Sequence, residues 1–176
     1  MNQSVKRVLF GGLCVLYLSF PLYLIRQKKA VVQKGTSFDW ETPLSHPQET
    51  YRGYYLPIDF PAEYTYTDSV RKGDYIYGLV RSSSGRPQLA DLSREKPEDR
   101  AYVRARVRYR ESSLLILDLP PGLSKVYISK ETYQRLSAEY EKTLLEDRTD
   151  PGSVSVTIYV WKGRVEARLS PARTQG

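Results

Sequence analysis

Val8 through Ile25 reads VLFGGLCVLYLSFPLYLI, a run of eighteen residues without a charge. As a helix such a run extends ~27 Å, close to the ~30 Å hydrocarbon core of a bilayer. The chain is therefore expected to meet the lipid bilayer through residues 8–25, as an uncleaved transmembrane anchor. Tyr17 and Tyr23 suit the headgroup region, and Arg26, Lys28 and Lys29 can snorkel to it. Pro21 lies near the end of the run, where a helix can kink and continue. A cleaved signal peptide is the rival reading, but it needs a small-x-small site, and the following RQKKAVVQK offers none. A lipoprotein signal needs a small residue before Cys14, where Leu13 stands. Basic residues flank both sides of the run, so charge bias does not set its orientation.

The formal net charge of +7 points at first to nucleic acid. Its distribution removes that reading. Lys6, Arg7, Arg26, Lys28, Lys29 and Lys34 fall within residues 1–34, which hold no carboxylate. The remaining residues carry twenty-one basic against twenty acidic side chains, so the domain is nearly neutral. No nucleic-acid partner is expected. One Cys and one His exclude a disulfide framework and a Cys/His zinc cluster.

The chain divides into a membrane anchor with basic flanks at 1–34, an irregular lead-in segment at 35–50, a β-rich domain at 51–170 and a flexible tail at 171–176. The lead-in is marked by Thr42, Pro43, His46 and Pro47. In 51–60, Tyr54, Leu56, Ile58 and Phe60 fall on one face at period 2, and Pro57 argues for an edge or a bulge. Residues 74–81, the turn Ser82–Ser83–Ser84–Gly85 and a short strand near Gln88–Leu92 make a hairpin. Residues 101–110 and 113–119 make a second, and 153–161 with 164–169 a third around Lys162–Gly163. One amphipathic helix interrupts the strands. Ser129 caps it, Glu131 sits in its first turn, and Tyr133, Leu136, Tyr140 and Leu144 form its apolar stripe. Asp150–Pro151–Gly152 closes the connection. The fold class is α+β: one N-terminal transmembrane helix, then a mainly antiparallel β-rich domain with one long amphipathic helix.

The stretch Arg52-Gly53-Tyr54-Tyr55-Leu56-Pro57-Ile58-Asp59-Phe60 resembles the name-giving strand of the GDYXXLXY family of bacterial membrane-anchored proteins. Gly53 and Tyr55 match, Ile58 stands for Leu and Phe60 for Tyr, while Tyr54 replaces the Asp. Gly73-Asp74-Tyr75 supplies a literal Gly-Asp-Tyr but resembles the family's next strand. Val126 to Glu131 resembles the start of the family's helix, and Trp161-Lys162-Gly163-Arg164 its last hairpin. The resemblance implies a single-pass protein of the bacterial cytoplasmic membrane, its domain outside the cytoplasm, in the company of a polytopic membrane protein. It implies no reaction and no cofactor, and a chemical role for the motif Asp would be closed to Tyr54.

The residues offer little for catalysis, and no catalytic, cofactor-binding or metal-binding residue is expected. His46 is the only histidine, between Ser45 and Pro47, and no G-x-S-x-G elbow is present. Cys14 lies within the membrane run, which excludes a thiol mechanism in the domain. Ser129–Lys130 leaves a Ser/Lys envelope hydrolase as an alternative, although capping already accounts for Ser129. Asp59, Asp74, Asp91, Glu95, Glu98 and Asp99 form no recognisable metal loop. The unusual stretch is Tyr102 to Arg110, YVRARVRYR. On a strand, Val103, Ala105, Val107 and Tyr109 face the core while Arg104, Arg106, Arg108 and Arg110 line the other face. Those four arginines are the candidate face for an anionic partner, whether lipid, envelope polymer or acidic protein, unless neighbouring strands supply carboxylates. Taken with what the family resemblance implies, the expected function is that of a non-enzymatic, membrane-anchored accessory subunit.

Overall fold

The computed structural model describes residues 3–66, 69–83, 85–98, 101–145 and 152–170. Its first element is α1 (Gln3–Lys34), 32 residues in one helix. Within it, Leu9–Lys34 is long and apolar enough to cross a membrane. Leu9, Phe10, Leu13, Leu16 and Leu18 are all more than half exposed, an apolar surface that water does not favour.

The strands and helices that follow are β1 (Thr36–Pro43), β2 (Gln48–Thr50), β3 (Gly53–Pro57), β4 (Glu63–Thr65), β5 (Tyr75–Ser83), β6 (Arg86–Ser93), β7 (Tyr102–Glu111) and β8 (Leu114–Asp118), then α2 (Pro121–Ser124), β9 (Lys125–Ile128), α3 (Lys130–Leu145), β10 (Ser153–Trp161) and β11 (Arg164–Leu169). They build three antiparallel sheets: an anchor sheet in the order β1-β10-β11, a small sheet β2-β3-β9, and a wide sheet β4-β8-β7-β5-β6. An apolar helix precedes an α+β domain.

The anchor and wide sheets face each other across one core. Trp40, Val156, Ile158 and Val160 from the first meet Ile76, Val103, Ala105, Val107, Leu115 and Leu117 from the second. Period-2 burial along β10 explains this, since Val156, Ile158 and Val160 are all fully buried. The small sheet and α3 close a second cluster around Leu44, Leu56 and Leu136.

Several expectations need correction. The segment 35–50 is not irregular: β1 pairs along all of β10, from Thr36 opposite Val160 to Pro43 opposite Ser153. Its prolines conceal a period-2 run in which Trp40 and Thr42 are buried and Phe38 half-buried. Pro57 lies in the middle strand of its sheet. It is tolerated at the strand's last position, beyond the three-residue β2. In α3, Leu136 is buried and Tyr133 and Tyr140 are half-buried, but Leu144 is 65% exposed. The 16-residue helix, ~24 Å long, outruns the five-residue β3 on which it packs, so the stripe ends at Tyr140. The residues Asp150–Pro151, Ser84 and the tail 171–176 lie outside the described residues.

The cap of α3 forms as expected: the backbone N–H of Thr132 donates to Ser129 Oγ at 3.2 Å. The Glu131 carboxyl lies below its ordinary range, held there by its own backbone N–H and then by the Ser129 hydroxyl.

Candidate functional site

The outer surface of the wide sheet is where the domain lines up arginines along one strand. Its central strand β7 lies between β5 and β8. Val103, Ala105 and Val107 are buried, which turns Arg104 and Arg106 outward into solvent. In register, Arg104 stands opposite Tyr77 and Arg106 opposite Tyr75. On its other side Arg106 stands opposite Asp118.

The alternation does not run to the end of the strand. The register with β8 slips between Val107, paired with Leu117, and Tyr109, paired with Ile116. Arg108 is the extra residue of a bulge, and a bulge exchanges the faces of everything beyond it. Tyr109, expected in the core, is therefore 47% exposed. Arg110, expected on the outer face, shares the face of buried Leu115 and is half-buried. Its guanidinium donates to Val70 O at 3.0 Å and Ser112 O at 3.2 Å. Tyr109 donates its hydroxyl to Glu111 Oε2 at 2.9 Å, and this bond to a carboxylate pushes the Tyr109 phenol above its ordinary value.

Three arginines thus stay on the outer surface, and they are unequally paired. Arg108 Nε is 4.0 Å from Asp118 Oδ1, the limit of an ion pair, with both side chains more than half exposed. Neither Arg104 nor Arg106 has a carboxylate within 4.0 Å among the described residues. The neighbouring Arg81 is already matched to Asp91 at 2.6 Å.

Both unpaired guanidinium groups are supported from beneath by the Gly73-Asp74-Tyr75 segment, a role the alternation of β7 does not reveal. Arg104 lies over the ring of Tyr75 at 3.7 Å from its centroid, a close cation–π contact. Arg106 lies against Gly73, where an added Cβ would be 3.6 Å from its Nη2. Asp74 Oδ2 accepts the Arg71 N–H at 2.9 Å and closes the turn, and Asp74 O accepts the Val107 N–H at 2.8 Å. The left-handed φ of Gly73, +95°, is what lets this turn form.

The resemblance-bearing strand has a different place. Ile58 and Phe60 are buried in the main core, Phe60 edge-on to Trp40 at 6.1 Å. Gly53 opens β3 at φ +114°. Tyr54, in the motif's Asp position, stacks on Tyr133 of α3 at 4.6 Å, which is a packing role. Tyr55 faces the opposite way, hydrogen-bonded to Gln48 and beside Tyr127. His46 packs edge-on to Tyr140 at 5.3 Å. Among the described residues, no group of three or more His, Cys, Asp or Glu comes together as a metal site. No protein-family model, curated protein or solved structure matches the chain.

Proposed function

We infer that the chain is a non-enzymatic, single-pass protein of the bacterial cytoplasmic membrane that holds its domain outside the cytoplasm, beside a polytopic membrane protein it serves as an accessory subunit. The reading of side and partner draws on the resemblance to the GDYXXLXY family. The observation that carries the anchored-module reading is the seating of α1. Val31 is buried, Lys28 Nζ is 3.7 Å from Glu166, Gln27 accepts from Arg164, and Lys34 lies 5.8 Å from the Trp161 ring. Positions 27, 28, 31 and 34 fall on one side of the helix over two turns. The apolar part of α1 thus continues into a stem fixed on the domain, and the domain is held at a set height above the bilayer. A module that only needed tethering would work equally well on a loose linker.

Three measurements test the reading. The full-length chain should stay in the membrane fraction after carbonate washing and keep its N-terminus. A shortened soluble product overturns the anchor. Ser113→Cys in the exposed β7–β8 turn should react with a membrane-impermeant maleimide on intact cells; reaction only after lysis reverses the orientation. Purification in mild detergent should co-isolate a polytopic membrane protein.

A further inference from the structure

We propose that Arg104 and Arg106, held over Tyr75 and Gly73, dock an extended acidic segment of a neighbouring membrane protein, with two carboxylates in an acidic-x-acidic pattern. The proposal rests on the accessory-subunit reading and names the surface through which it works. Charge is the first support. These two guanidinium groups are exposed and lack a carboxylate within 4.0 Å among the described residues, while Arg81 and Arg108 each have one. Spacing is the second. Residues two apart on a strand are ~6.8 Å apart, and carboxylates two apart on an extended partner chain repeat at the same distance. Each guanidinium then meets one carboxylate as a fork.

The supports beneath the arginines matter as much as their charge. Arg104 rests on the Tyr75 ring at 3.7 Å and Arg106 lies against Gly73, so both have less rotamer freedom to lose on binding than solvated arginines.

The form of the site selects the occupant. The two guanidinium groups follow one strand at a fixed repeat of ~6.8 Å, which two carboxylates of one extended chain match together and separately diffusing lipid headgroups do not.

The test uses the full-length protein in nanodiscs and a fluorescent peptide of alternating glutamate and threonine, followed by anisotropy. The wild type should bind it, more weakly as salt rises from ~50 to ~300 mM. Arg104→Gln with Arg106→Gln should weaken binding roughly tenfold. Tyr75→Leu, which keeps both charges, should weaken it several-fold, and so should rearranging the peptide's residues into two blocks. Affinity should be the same in phosphatidylcholine and phosphatidylglycerol nanodiscs. Undiminished binding by the double variant overturns the proposal, and so does undiminished binding by Tyr75→Leu. Loss of peptide binding specifically in phosphatidylglycerol nanodiscs also overturns it, because it assigns the face to lipid headgroups. Co-isolation separates this inference from the reading beneath it. A membrane protein retained equally by wild type and double variant overturns the arginine face and leaves the accessory role standing. Peptide binding with no membrane protein retained by the wild type overturns the accessory role instead, and the occupant named here with it.

Discussion

The hairpins β10–β11 and β7–β8 start from the same kind of sequence: an alternating run, a two-residue turn and a second strand. They end differently. Along β10–β11 the pairing is unbroken from Val156 opposite Leu169 to Trp161 opposite Arg164. Its turn residues Lys162 and Gly163 both take positive φ, +48° and +80°, which matches the natural twist of paired strands. Along β7–β8 the register slips at Arg108, and only Ser112 of the turn has positive φ, +52°. The first hairpin keeps the faces its sequence implies. The second exchanges them halfway, and the exchange shortens the arginine surface. Unbroken alternation would line up four guanidinium groups every ~7 Å, each adjacent pair repelling by ~0.6 kcal/mol in water. The bulge removes Arg110 from that row and gives it two backbone carbonyls.

The largest expected effects test whether burial follows the ladder or the alternation. Ile158→Ala in β10 should cost about 2–5 kcal/mol, since Ile158 is fully buried. Tyr109→Ala in β7 should stay within about 0.5 kcal/mol, as for an exposed position. With unbroken alternation, Tyr109 would be a core aromatic and its loss would cost about 3–5 kcal/mol. Urea unfolding of the full-length protein in detergent separates the two cases. The same contrast recurs on α3. Leu136→Ala should cost about 2–5 kcal/mol, while Leu144→Ala, beyond the end of the strand, should stay within about 0.5 kcal/mol. Equal costs at the two positions would mean that α3 packs along its whole length.

A smaller effect should come from the turn that keeps β10–β11 in register. Gly163→Ala places a Cβ at φ +80° and 3.1 Å from Tyr102 Cε2. It should cost about 1–2 kcal/mol. A neutral result would show that this turn does not constrain the hairpin, and the contrast with β7–β8 would lose its local cause.

The elements that could be read from sequence were those whose signal is local. Lys162–Gly163 marked a turn by residue type, Ser129 marked a cap, and the period-2 runs of β5, β7 and β10 marked strands. Those that could not be read depend on partners distant in the chain. β1 lies among prolines, and only its pairing with β10, more than a hundred residues later, makes its alternation count. β4 and β9 have three and four residues, too few to display a period. At the candidate site the exposure of Arg104 and Arg106 follows from alternation alone. Their seating on Tyr75 and Gly73 does not, because it arises from the β5–β7 register and from a glycine turn thirty residues upstream. The bulge has no marker in YVRARVRYR, where Arg108 looks like every other arginine of the run.

The last expected effect isolates what the bulge does to a single arginine. Arg110 and Arg106 have the same side chain on the same strand, on opposite sides of the slip. Arg110 is half-buried and donates to Val70 O and Ser112 O. Its replacement by Gln leaves carbonyls without their charged donor and should cost about 1–2 kcal/mol. Arg106 is exposed and has no carboxylate within 4.0 Å among the described residues, so Arg106→Gln should stay within about 0.5 kcal/mol. The small change at Arg106 should take the form of a slight gain at low salt, because removing one charge relieves repulsion from Arg104 and Arg108. That gain should fade as salt rises, while the loss at Arg110 should stay constant, since it reflects hydrogen bonds and not the field of the face. Thermal unfolding of both variants at two salt concentrations reads the difference directly. If both variants lose stability equally, Arg110 is no more embedded than Arg106 and the bulge does not exchange the faces. If both gain at low salt, all four arginines belong to one solvated row, as unbroken alternation would have it.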